Sequence, residues 1–175
     1  MSARRYHAFR AASTIVLAAL VLFSQHEAHA QQVLLTPGRS LDFGSFVVVG
    51  AGTVTLLPSG QRSSTGGVIL LSSQPGQGAS VNVRWNKNGH VKDKGVIISL
   101  PPDGVARLSS GANTMTLNAI SSNPPASSMP SVSEGNGTDL SIGATLVVAP
   151  KQPAGVYLGT FAVTVDPGSP NPSQK

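Results

Sequence analysis

Side chains able to do acid–base, nucleophilic or metal chemistry are few and scattered in this sequence. Cysteine is absent from all 175 residues, which excludes thiol nucleophiles, disulfide scaffolds and zinc ribbons. His7, His26 and His29 fall in the first thirty residues, leaving His90 alone in the remainder. A Ser-His-Asp site would have to use His90, yet no Gly-x-Ser-x-Gly elbow occurs anywhere. His90 follows Asn88-Gly89 and precedes Lys92 and Lys94, the setting of a solvated turn. Paired carboxylates need only lie ~5 to 10 Å apart in space to cleave a glycoside, but those present suit turns instead. Asp103 and Asp166 fall in Pro-flanked, Gly-containing turns, Glu134 precedes Gly135, and Asp93 lies between Lys92 and Lys94. Asp serves such turns through its own side-chain hydrogen bonds. Gly135-Asn136-Gly137-Thr138-Asp139 resembles half of a calcium-binding nonapeptide. That chemistry needs stacked successive turns, and a single copy with Ser141 at the inward position reads as a loop leading into a strand. The sequence therefore predicts no enzyme, no metal site and no cofactor.

Binding chemistry concentrates at Arg84-Trp85-Asn86-Lys87-Asn88-Gly89-His90-Val91-Lys92-Asp93-Lys94. An indole among amides and cations can stack on a sugar ring or hold an anionic glycan, which makes Arg84, Trp85, Lys87, Lys92 and Lys94 the candidate ligand-binding residues. The competing reading is structural. Trp85 continues the parity of Val81 and Val83 and would face the core, with the lysines as solubilising charge. Nucleic acid is not an expected partner. Beyond residue 30 the aromatic residues are Phe43, Phe46, Trp85, Tyr157 and Phe161, too few to stack bases along a basic groove.

The elements that must position these residues are strands. Residues 31–175 hold all 19 glycines and all 13 prolines, and their longest Gly/Pro-free stretch is Ala112 to Asn123, which leaves no room for an ordinary amphipathic helix. Period-two alternation recurs instead: Val81, Val83 and Trp85; Met115, Leu117 and Ala119; Leu140, Ile142, Ala144, Leu146 and Val148; Tyr157, Phe161, Val163 and Val165. Further strands are predicted at 40–49, 53–57, 67–72, 95–100 and 105–109, separated by Pro- and Gly-rich turns. Leu41 and Phe43 share one parity and Phe46 and Val48 the other, which predicts a bulge at Gly44. Ser122 to Thr138 reads as a long surface loop. These features predict an all-β, antiparallel, immunoglobulin-like β-sandwich, with a jelly roll as the second choice.

Residues 1–30 read as a signal peptide: Arg4, Arg5 and Arg10 precede an apolar run from Ala11 to Phe23, followed by Ala28-His29-Ala30. Cleavage between Ala30 and Gln31 leaves a β-sandwich domain over 31–166 and a disordered Pro-rich tail over 167–175. It removes three of twelve basic residues and one of seven acidic ones, so nine oppose six and the net charge becomes +3. No later stretch reaches the ~18 apolar residues that a membrane helix needs. The expected destination is the periplasm, the cell surface or the medium.

Leu41-Asp42-Phe43-Gly44, Gly52-Thr53-Val54-Thr55, Gly66-Gly67-Val68 and Thr114-Met115-Thr116 carry a family resemblance. So does the closing run Pro153-Ala154-Gly155-Val156-Tyr157-Leu158-Gly159-Thr160-Phe161 with Val163-Thr164-Val165. Over roughly residues 40 to 166 the chain resembles the bacterial exported family called domain of unknown function 4402, and its last strand is similar to those of fimbrial subunits and spore-coat-U-like proteins. The resemblance implies an exported all-β domain without established activity. The chain lacks the cysteine pair common in chaperone–usher pilins. The resulting expectation is a noncatalytic surface or extracellular structural module, fimbrial-like, that makes protein contacts through strand edges. A carbohydrate-binding or adhesive domain, with a glycan as partner, is the alternative. The segment Gln31 to Thr36 is expected to pair within its own domain, giving a monomer in isolation.

Overall fold

The computed structural model describes residues 33–85, 96–126, 132 and 136–167. The expected signal peptide and its Ala30–Gln31 cleavage site, the basic run with Lys87, His90, Lys92 and Lys94, and the expected tail beyond 167 lie outside them. Among the described residues nine strands follow in order: β1 (Val33–Pro37), β2 (Phe46–Leu56), β3 (Arg62–Leu70), β4 (Ala79–Trp85), β5 (Val96–Ser99), β6 (Arg107–Ser110), β7 (Asn113–Asn123), β8 (Thr138–Val148) and β9 (Thr164–Pro167). Among the described residues no helix is long and apolar enough to cross a membrane.

Seven strands form one antiparallel sheet, and β5 and β9 form a second, two-stranded one. The fold turns on β8. One of its edges pairs with β4 through Thr138–Ile142 and then with β2 through Ala144–Val148, while the other edge follows β7. Gly143 stands at the changeover, where a Cβ would meet the Leu56 carbonyl and lie 2.6 Å from the Leu57 carbonyl carbon. The strand thereby serves two apolar clusters. Phe43, Val54, Leu56, Val68, Met115 and Leu117 join Ala144, Leu146 and Val148 in one. Val83, Trp85, Val96, Ile98 and Val132 join Leu140 and Ile142 in the other, which the β5–β9 sheet adjoins through Val163 and Val165. Alternation along β8 is fully realised, since Leu140, Ile142, Ala144, Leu146 and Val148 are all buried.

Several expectations need correction. The strands predicted at 40–49 and 53–57 are largely one, β2, because Gly50–Gly52 stays inside the ladder opposite Gly66–Gly67 and absorbs a register shift there. Glycine is required at this crossing, where a Cβ on Gly67 would collide with the Gly50 backbone. The residues before Phe46 pair elsewhere, through an isolated Asp42–Gln77 bridge, and Gly44 at φ 67° marks the predicted irregularity. Ala119 does not continue the inward face of Met115 and Leu117. It is exposed at φ 48°, in a register shift of β7, because its N–H donates to the Asp103 carboxylate at 2.6 Å while Gly104 N–H donates to Asn118 Oδ1 at 3.0 Å. The loop expected from Ser122 begins later, since β7 runs to Asn123, and Val132 within that stretch is buried in the second cluster. The closing strand is shorter than its alternation suggests. Leu158 bridges Ser109 on β6, and only Thr164–Pro167, with Asp166 in the strand and not in a turn, pairs with β5. Between these points the chain crosses from one half of the fold to the other, so no single neighbour can supply a ladder.

The first strand stays in its own domain. β1 pairs antiparallel with β4, placing Val33 opposite Trp85 and Leu35 opposite Val83, and it runs close to β9.

Candidate functional site

Of the five candidate binding residues, Arg84 and Trp85 are described, and the sheet sends them to opposite faces. Trp85 is 2% exposed, in the cluster with Val83, Leu140 and Ile142. Its burial follows from β4 alternation and from Val33 lying across the edge. Arg84, opposite Leu34, is exposed. Beside it the calcium-like segment serves as the lead into β8: Asn82 Nδ2 donates to the Asn136 carbonyl at 3.1 Å and to Asp139 Oδ1 at 2.8 Å. Gly137, at φ 71°, lies against Arg84, with a Cβ position 3.0 Å from the arginine's own. Arg84 and Trp85 are thus adjacent in sequence without forming one surface. Among the described residues no group of three or more His, Cys, Asp or Glu side chains could hold a metal ion.

A different surface emerges at the β2–β3 corner. Phe46-Val47-Val48-Val49 on β2 and Val68-Ile69-Leu70-Leu71 on and just past β3 are uninterrupted apolar runs, and they are partners: Phe46 faces Leu70, Val47 faces Ile69 and Val48 faces Val68. One parity goes into the core with Val68, Phe46, Val48 and Leu70. The other remains outside, with Val47 44%, Ile69 54% and Val49 70% exposed and Leu71 beside them. Such runs are the pattern of strands covered on both faces, yet here one face is open. Toward the other end of the same strands the outer face turns polar. Thr53 and Thr65 hydroxyls lie 2.8 Å apart, and those of Thr55 and Thr145 3.0 Å apart.

Arg62 secures this corner. Its guanidinium donates to the carbonyls of Phe43 at 2.8 Å, Gln74 at 3.0 Å, Ser45 at 3.4 Å and Leu71 at 2.6 Å. It thereby ties the segments entering β2 and leaving β3 to the start of β3, using the planar fork that lysine lacks. Neither Arg62 nor the open aliphatic corner is among the residues singled out by motif. The signal for the corner is the loss of alternation at 46–49 and 68–71. Arg62 gives no such signal, because its partners are main-chain oxygens.

Comparison with curated proteins and with solved structures returned no match. The family model for Domain of unknown function (DUF4402) matches residues 33–166, from the first residue of β1 to within one residue of the end of β9. The chain belongs to the DUF4402 family.

Proposed function

We propose that this protein is an exported, noncatalytic structural module of the cell surface or extracellular space, immunoglobulin-like in architecture and fimbrial-like in role. It works through sheet-edge contacts with other proteins. The observation that carries this reading is the aliphatic corner made by Val47, Val49, Ile69 and Leu71, solvent-facing where the pattern of its strands calls for cover. Contiguous exposed apolar surface of this kind is typical of protein interaction sites. The glycan-binding alternative is weakened at its centre, since the indole that would stack on a sugar is 2% exposed and Arg84 stands on the opposite face.

The test is retention on the exporting cell. Introducing Val47→Lys with Ile69→Glu, an opposite-charge cross-strand pair, should release the protein into the medium without lowering its melting temperature. If that variant is retained while substitution of Lys87, Lys92 and Lys94 by alanine releases it, the adhesive reading replaces this one.

A further inference from the structure

We infer that this protein associates head to tail with further copies of itself, the outer edge of β3 in one copy pairing with the Gly155–Gly159 segment at the opposite edge of the next. The inference rests on the contact-surface reading above and supplies its partner. The order across this part of the sheet is β3, β2, β8, β7, β6 and then the segment bridged through Leu158 to Ser109, with each neighbour antiparallel to the last. Six alternating segments leave the outermost two running in opposite directions. A copy shifted sideways without rotation therefore presents β3 antiparallel to 155–159, the relation a growing antiparallel sheet requires.

Main-chain groups are available on both sides. Ser109 N–H donates to the Leu158 carbonyl at 2.8 Å and Leu158 N–H to the Ser109 carbonyl at 2.9 Å. Leu158 thus spends its backbone on β6, and the main-chain groups of Tyr157 and Gly159 point the other way. On β3, Leu71 N–H donates to the Ser45 carbonyl at 3.0 Å beside the Phe46–Leu70 pair, which turns the Leu70 N–H and carbonyl to the open side. Earlier in β3 the Gly66–Gly67 irregularity and the Ser64 hydroxyl, which donates to the Val68 carbonyl at 2.9 Å, close the edge. Pairing is therefore confined to Ile69–Leu71, where Leu70 supplies the main-chain groups.

Side chains agree with this geometry. Exposed edges are ordinarily guarded by charged residues, but no charged residue occurs between Arg62 and Arg84 or between Lys151 and Asp166. Arg62 is occupied by four carbonyls of its own chain. Ile69 and Leu71 at one edge meet Val156 and Leu158 at the other, the latter two 76% and 70% exposed. Leu158 sits opposite Ser109 on the outer face, so translation brings the aliphatic groups together on one surface. The expectation of a monomer rests on residues 31–36 pairing within their own domain; β1 does pair with β4, which removes strand donation but leaves the β3 edge untouched.

Sedimentation velocity over a wide concentration range tests this with the exported chain, Ile69→Lys, Leu158→Lys and a control, Ile97→Lys, on the exposed face of β5. Wild type and the control should show an open series of oligomers growing with concentration, and each edge lysine should abolish growth. An equimolar mixture of the two edge variants should stop at a dimer, because each retains one intact edge. All three sites are chosen on exposed side chains, and unchanged melting temperatures with the milder Ile69→Thr and Leu158→Thr forms guard against misfolding. A wild type that stays monomeric overturns the inference, as does association lost in Ile69→Lys and kept in Leu158→Lys, which would be a two-fold β3 contact. If the monomeric outcome coincides with Ile69→Lys still losing the cell surface, head-to-tail pairing fails and the contact-surface reading stands. If surface retention is unaffected too, both fail.

Discussion

Val47 on β2 lies directly opposite Ile69 on β3, and both side chains project from the outer face of the sheet into solvent. A cross-strand aliphatic pair contributes mainly by shedding water, and here the water is shed from one side only. Replacing both residues by threonine keeps the β-branched shape that a strand favours. Thermal unfolding should therefore shift by no more than ~0.5 kcal/mol in stability, while binding of a hydrophobic dye to the folded protein should fall.

Trp85 and Arg84 should separate cleanly by denaturant titration. Trp85→Ala removes a ring buried among Val83, Leu140 and Ile142 and should cost ~3 to 5 kcal/mol. Arg84→Ala, on the exposed face, should stay within ~0.5 kcal/mol. A Trp85→Ala form as stable as wild type would place the indole outside the core.

Arg62 donates to four main-chain carbonyls in two segments, 43–45 before β2 and 71–74 after β3. Arg62→Met leaves them short of a donor and should cost about 2 kcal/mol. Arg62→Lys should recover only part, since one ammonium cannot reproduce the fork. Urea unfolding of the three forms checks the order.

At Gly143, where β8 changes partner from β4 to β2, an added methyl meets the main chain of Leu56 and Leu57. These are backbone atoms held in a ladder and cannot swing aside. Gly143→Ala should destabilise by ~1 to 3 kcal/mol, in contrast to Gly60→Ala, whose Cβ position has nothing within 4 Å although its φ of 88° adds local strain.

The sequence made much of this architecture readable where alternation is strict. β8, β4 and the start of β7 appear with their inward residues correctly assigned, because period two translates directly into face; the in-chain pairing of β1 is expected instead because a closed domain leaves no groove for a donor strand. Legibility ends where position depends on a partner distant in the chain. Ala119 leaves the core because Asp103 holds its N–H. Residues 155–163 keep their alternation yet lack a continuous ladder because their neighbours change from β6 to β5. The basic run from Arg84 to Lys94 is conspicuous by composition, whereas the aliphatic corner depends on 46–49 and 68–71 being register partners, which no local pattern reveals.

The proposed contact surface of this domain is the β3 edge and not the basic run after Trp85. Hydrogen–deuterium exchange of the exported chain at rising concentration measures it most directly. Added protection is expected in peptides covering Val68–Leu71 and Val156–Gly159, with none gained by β1 over Val33–Pro37. Protection that appears instead in β1, or that arises around Arg84 to Lys94 only when an anionic glycan is added, would contradict it.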